Sequence, residues 1–241
     1  MTKVGILFNC NANNFFPYLE WINENTSPSF SICSVLTNNE ELFIAKFPNL
    51  KKFLMRNIDN VLAESDLVLS LGYWRILKKN EIEKVSMGVI NFHHSYNLLY
   101  KGRHTATWAI RNKELFHGST MHFIDESVDG GKIVETRKFK IEKTDTAESV
   151  FNKANLLGLE ILKDNFLNVV NNDYKYFYEM ELKGHRAHTY RYRDLDHEIS
   201  LDVLNDPKKL YDEIRSLTFS KKPAPYIVLE GKKVFLKLEG Y

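Results

Sequence analysis

The chain has 241 residues, of which 44% are apolar and 13% aromatic, with 33 Lys+Arg against 31 Asp+Glu. That is enough apolar surface for one large domain, or one domain with a small appendage, to bury a core without disulfides or metal, and it excludes a disordered chain. The formal charge of +2 excludes the concentrated basic footprint of a protein that binds a long polyphosphate, while leaving room for a small anionic ligand.

Cys10 and Cys33 form no Cys-x-x-Cys spacing, which points to a reducing compartment rather than to zinc or a disulfide framework. The apolar run at residues 4–8 is too short for a signal-peptide core, and no run reaches the roughly 18 residues needed to cross a bilayer. The expectation is a cytoplasmic chain with no membrane and no nucleic-acid partner.

Residues 4–8 read as the first buried strand, and residues 30–36 and 66–71 as further strands of a parallel sheet. The turn after the first strand, Asn9-Cys10-Asn11-Ala12-Asn13-Asn14, has no glycine. It therefore lacks the dinucleotide fingerprint, and NAD and FAD are not favoured. Phe53, Leu54, Ile58, Val61 and Leu62 recur at helical spacing, which predicts a helix over about residues 50–63. A strand follows over residues 89–93, a helix over 104–112, and strands over 117–124 and 132–141. A long helix is expected from Asp145, with Glu148 completing a capping box and Val150, Ala154, Leu157 and Ile161 on one face.

After Asn171-Asn172-Asp173 the composition shifts to Tyr, Lys, Arg and His. A helix start at Asp206-Pro207 and a hairpin turning at Gly231 close the chain. The predicted architecture is a Rossmann-like, doubly wound, mostly parallel α/β sheet over residues 1–172, with a small α+β C-terminal extension over 173–241 that ends in a β-hairpin. Apolar alternation at Val234, Leu236 and Leu238 suits pairing of that hairpin across a two-fold homodimer.

The densest polar cluster is Asn91-Phe92-His93-His94-Ser95. Residues two apart in a strand share a side, so Asn91 and His93 project together, about 6–7 Å apart at their Cα atoms, at the carboxyl end of a central strand. A carboxamide can stabilise a developing oxyanion while an imidazole takes a proton, which suits attack at a carbonyl. Asp129, before Gly130-Gly131, can be brought back by a sharp turn to orient the imidazole. Neither Asn-x-His on a strand nor Asp before Gly-Gly requires a function when taken alone. No Ser or Cys sits in a nucleophile elbow, so direct transfer is favoured over a covalent acyl-enzyme.

In order and spacing these residues resemble the 10-formyltetrahydrofolate-dependent formyltransferases. The resemblance runs through Asn91-Phe92-His93-His94-Ser95, Lys101-Gly102-Arg103-His104, Trp108-Ala109-Ile110, His117-Gly118-Ser119-Thr120-Met121-His122 and Asp129-Gly130-Gly131. The ending, with Ile214-Arg215-Ser216-Leu217-Thr218-Phe219 and then Pro223, looks like the branch acting on nucleotide-linked amino sugars. The resemblance implies His93 as base, Asn91 as oxyanion holder and Asp129 as the orienting partner. It also implies 10-formyltetrahydrofolate as co-substrate, no metal, and a pterin held against Gly72, Tyr73, Arg75, Ile76, Leu77 and Asp125. The chain departs from the pattern at Asn97-Leu98, where Leu-Pro is usual, and at Lys132, where an acidic residue is usual.

The acceptor amine is read from the remaining residues. A tail of about 70 residues and a charge of +2 suit initiator tRNA poorly, and the purine-pathway branch normally ends near the first domain. The resemblance then implies as acceptor a dTDP-linked amino-dideoxy sugar of bacterial surface polysaccharide (O-antigen) synthesis, 4-amino-4,6-dideoxyglucose ahead of the 3-amino-fucose type. Lys101, Arg103 and His104, with Asn9, are the expected substrate contacts. The segment 185–193, alternating Tyr and Arg, reads equally as an edge strand and as a surface that stacks a base and pairs a pyrophosphate. A formyltetrahydrofolate hydrolase, transfer to another amine, and a non-catalytic binding module are the competing readings.

Overall fold

The computed structural model describes residues 1–176 and 188–240. Among these, residues 1–93, 120–136 and 158–176 gather into one compact unit, and residues 94–119, 137–157 and 188–240 into a second. In chain order the strands and α-helices are β1 (Thr2–Phe8), α1 (Phe16–Glu24), β2 (Phe30–Thr37), α2 (Glu40–Lys46), α3 (Ile58–Glu64), β3 (Leu67–Leu71), α4 (Lys79–Ile82), β4 (Val89–His93) and β5 (Tyr100–Gly102). Then come α5 (Thr105–Arg111), β6 (Phe116–Phe123), β7 (Ile133–Lys140), α6 (Ala147–Val170), β8 (His188–Tyr190), α7 (Pro207–Leu217), β9 (Tyr226–Leu229) and β10 (Lys232–Phe235).

A six-stranded sheet runs β2-β1-β3-β4-β6-β7. The β1–β2, β1–β3 and β3–β4 pairs are parallel, and β4–β6 is antiparallel. Successive apolar residues of β1 face opposite sides, so the sheet needs cover on both. On one side Ile6, Phe8, Leu69, Ile90 and Phe92 pack with Tyr18, Leu19 and Ile22 of α1 and Phe166 of α6. On the other, Leu7, Val68 and Val89 pack with Val61 and Leu62 of α3. This is the mostly parallel, doubly wound α/β architecture expected from the pattern.

Two local expectations change. The predicted helix over 50–63 is instead a 3₁₀ turn, Pro48–Phe53, an extended Leu54 and then α3. Asn57 starts α3 afresh, its side chain accepting from the N–H of Asn60, and Met55 donates to the carbonyl of Val35 on β2. The apolar spacing is met by two short turns rather than one helix. The capping box of α6 is built from Thr146 and Ser149, each side-chain oxygen accepting from the other's backbone N–H. Glu148 instead accepts from the N–H and hydroxyl of Ser220, and Asp145 holds Lys153 at 2.7 Å.

In the second unit, Ala106, Ala109 and Ile110 of α5 pack with Ile141, Ala147 and Val150. Asp206 caps α7 by accepting from Lys208 and Lys209. Arg215, only 8% exposed, donates to the carbonyl of Asp145 and to Asp212, so its buried charge is paired. The terminal hairpin β9–β10 turns through Glu230 and Gly231, both at positive φ, as a two-residue turn of matching twist requires. Among the described residues no helix is long and apolar enough to cross a membrane.

Candidate active site

Strand β4 lies inside the sheet, so both of its backbone edges are paired and its side chains are set by register. Asn91 pairs with Ser70 of β3 and stands directly opposite His122 of β6; His93 stands opposite Thr120. Directly opposite residues share a face with Cβ atoms about 4.5–5.5 Å apart. Asn91, His93, Thr120 and His122 therefore crowd one face of two strands, while Phe92 enters the core on the other. Thr120 is satisfied by the hydroxyl of Thr136 at 2.8 Å.

The loop from β6 to β7 brings Asp129 to this cluster. Its Oδ2 lies 3.5 Å from Nδ1 of His93, with the His93 side chain 10% exposed and that of Asp129 19%. The distance is within ion-pair reach and long for a hydrogen bond. Asp129 has φ of 43°, a left-handed conformation that costs a non-glycine residue free energy and is retained where surrounding structure imposes it. The surroundings here are two glycines. A Cβ on Gly131 would stand 1.9 Å from the carbonyl oxygen of Phe123, and its φ is +107°. Only glycine lets the chain pass that close to β6.

His122 is fully buried. Its Nδ1 lies 2.9 Å from the carbonyl oxygen of Gly130 and its Nε2 3.3 Å from Nδ2 of Asn91. Burial, reinforced by the neighbouring His93, pulls its pKa down to about 4. In the sequence His122 is only the last residue of the His117–His122 stretch, with no role implied. The signal in the sequence is that β6 carries polar residues at four positions, His117, Ser119, Thr120 and His122, although it lies inside the sheet.

Of the residues expected to meet a pterin, Gly72, Tyr73, Arg75, Ile76 and Leu77 occupy the turn after β3 and Asp125 the loop after β6. Gly72 has φ of +69°. The rings of Tyr73 and Trp74 are 4.4 Å apart, and Trp74 and Ile76 are exposed. Arg75 is held by Glu81 through two parallel hydrogen bonds of 2.9 and 2.8 Å, which raise its pKa and fix it as a brace for the turn. Leu77 is buried. Asp125 accepts from the N–H and hydroxyl of Ser127. Asn9 ties the first turn together: it donates to the carbonyl of Gly72 and accepts from Asn11 and Asn38.

Lys101, Arg103 and His104 belong to the second unit. Arg103 is exposed, its backbone N–H donating to Tyr190. His104 is left-handed at φ of 61° before α5. Burial, then the charges of Lys222 and Arg103, lower its pKa, and its buried Nε2 has no hydrogen-bond partner among the described residues. Of the Tyr/Arg segment, residues 185–187 lie outside the described residues. Next to them, β8 pairs in parallel with β5, and Tyr190 stacks on Trp108 with ring centroids 4.2 Å apart. Tyr192 is 76% exposed. Among the described residues no group of three or more His, Cys, Asp or Glu is placed to hold a metal ion.

A family model described as formyl transferase matches residues 23–165. A 4-N formyltransferase from Francisella tularensis superposes with a TM-score of 0.82 at 19% identity, covering 99% of this chain and 97% of that one. An N-formyltransferase from Helicobacter canadensis, solved with folinic acid and dTDP-3-aminofucose, superposes with a TM-score of 0.74 at 20% identity, covering 97% and 86%. At these identities the likeness is one of fold. In sequence, methionyl-tRNA formyltransferase of Lysinibacillus sphaericus is 28% identical over 154 residues, 64% of this chain and 48% of that protein. The chain thus spans about half the length, or less, of the curated relatives it matches first.

Proposed function

The chain belongs to the formyl transferase family, and on that premise we propose that it transfers a formyl group from 10-formyltetrahydrofolate to the amino group of a dTDP-linked amino-dideoxy sugar. The observation that carries this reading is the gathering of Asn91, His93 and Asp129 at one end of β4.

The co-substrate supplies an activated formyl carbon, and the turn after β3 fits a flat, polar ring. None of the peptide groups of Tyr73, Trp74, Arg75, Ile76 or Leu77 hydrogen-bonds to another described residue, although Leu77 is only 4% exposed. Not engaged by the described chain, these groups can turn to the polar edge of a ring from outside the protein. The exposed Trp74 and Ile76 add apolar surface on the same turn. Gly72, Tyr73, Arg75, Ile76, Leu77 and Asp125 are accordingly the proposed folate-binding set, Arg75 by bracing the turn.

In the proposed reaction, Asn91 donates an N–H to the formyl oxygen as negative charge grows there during attack by the uncharged amine. His93 takes the proton that the amine nitrogen loses. Because Nδ1 faces Asp129, Nε2 is the nitrogen assigned to this step, and the carboxylate steadies the ring as it becomes charged. The C–N bond to the folate nitrogen then breaks, that nitrogen regains a proton, and the products are a formamide and tetrahydrofolate. Lys101 and Arg103 are assigned to the acceptor's phosphates and His104, uncharged near neutral pH, to a hydrogen bond beside them. Asn9 is assigned to the acceptor as well, its side chain also holding the β1 turn.

The sugar 4-amino-4,6-dideoxyglucose is the first acceptor to test, on a path to bacterial surface polysaccharide. Residues 1–172 are assigned to formyl transfer, and 173–241 to substrate and dimer contacts. Exposed Leu229, Val234 and Phe235 on the hairpin support a homodimer, which a monomeric mass by light scattering would remove. The decisive assay incubates the protein with 10-formyltetrahydrofolate and a panel of dTDP- and UDP-amino sugars. The expected result is the mass gain of one formyl group on a dTDP-amino sugar. Formate release without any acceptor gain would favour the hydrolase instead.

A further inference from the structure

His122 is fully buried and takes no part in the transfer as described. Its two ring nitrogens meet unlike partners. A carbonyl oxygen can only accept, so the 2.9 Å contact with Gly130 places a proton on Nδ1. In a neutral ring Nε2 is then an acceptor, and the group 3.3 Å from it is the amide nitrogen of Asn91. Neutrality is secured by burial, and the charged or titratable groups around the ring are His93 on β4 and Asp129 on the loop.

This tautomer decides which way the Asn91 carboxamide faces. Turned through 180°, the amide would set its oxygen against the lone pair of Nε2, an unfavourable meeting of two acceptors in a dry site. As found, one N–H of Asn91 goes to His122 and the second can be aimed at a substrate oxygen. The same ring tethers Gly130, the residue bonded to Asp129. We infer that, within the formyl-transfer reading on which this rests, His122 is a positioning residue: as the neutral Nδ1–H tautomer it orients the Asn91 carboxamide and holds the Asp129 loop against β4.

The test has two arms. Ring nitrogen resonances of His122 in the ¹⁵N-labelled, unliganded chain are expected to give a protonated Nδ1 and an unprotonated Nε2, unchanged between about pH 8 and 6. An Nε2–H tautomer, or protonation near the usual histidine value, would overturn the inference. In the second arm, His122→Phe is expected to lower kcat about 100-fold, as loss of an aimed oxyanion donor does, with KM for the formyl donor unchanged. His122→Gln, which returns an acceptor near Nε2, should recover about tenfold of that loss, and His122→Phe should add little to Asn91→Ala because the two act as one unit. Wild-type kcat in His122→Phe, or losses that multiply, would overturn it. Each variant's fold is read from its thermal melt, and the resonance arm needs no variant and no substrate. Failure of the wild-type protein to transfer formyl would therefore remove the proposed function while leaving the His122–Asn91 contact to be judged by the resonances.

Discussion

The cluster around Asn91 and the segment from Lys101 to His104 use similar polar side chains but are held by different means. Asn91, His93 and His122 sit on paired strands, each with a fixed cross-strand neighbour, and are largely shielded from water. Lys101 and Arg103 sit on a short strand and turn tied down by backbone bonds to β8, with the Arg103 side chain exposed. Register positions a group to within a fraction of an ångström, as stabilising charge in a transition state demands. An exposed cation tolerates many approaches, which suffices for gathering a phosphate.

The contrast is broken or sharpened by substitution on each side. The largest effect is expected at the strand: Asn91→Ala and His93→Ala should each lower turnover about 100- to 1,000-fold with unchanged melting temperature, and near wild-type rates would remove that residue from the chemistry. Gly131→Ala should come next. Its Cβ meets a backbone oxygen at a positive φ, so a stability loss of about 1–3 kcal/mol should accompany loss of turnover as the Asp129 loop moves; a denaturant melt like wild type would show that the loop yields freely. Arg103→Ala and Lys101→Ala should raise KM for the nucleotide-sugar about tenfold at nearly constant kcat, the signature of lost uniform binding. Equal falls in kcat would instead put these cations at the reacting centre.

The smallest effect is thermodynamic. The folded-state pKa of His122 is about 4, below its usual 6.5, so the unfolded chain binds the proton first. Its contribution to stability is complete above about pH 6.5 and is lost progressively as pH falls toward 4. Melting temperature should therefore decline over that window, and less steeply in His122→Gln. Equal slopes in the two proteins would place the lost stability in another group.

Much of the sheet was legible because burial on both faces leaves near-continuous apolar runs, as in β1 and β3, and because caps such as Asp206 and turns such as Gly231 act locally. The helix expected over residues 50–63 failed for a non-local reason. Its apolar residues do face the core, but Met55 is claimed by β2 and Asn57 restarts the chain. The reciprocal cap of α6 went to Thr146 and Ser149 because Glu148 had a better partner 72 residues away in Ser220.

The candidate site divides along the same line. That Asn91 and His93 share a face follows from the two-residue period of a strand, and that Asp129 can turn back follows from Gly130 and Gly131. The sequence by itself therefore determined the α/β class, the order of the strands along the chain and the residue types able to do carbonyl chemistry, since each depends on spacing within a few residues. Only the tertiary structure decided that β6 runs antiparallel to β4 in the register that sets His122 against Asn91. Strand pairing over 31 residues of separation is settled by packing of the whole sheet, and no local period encodes it.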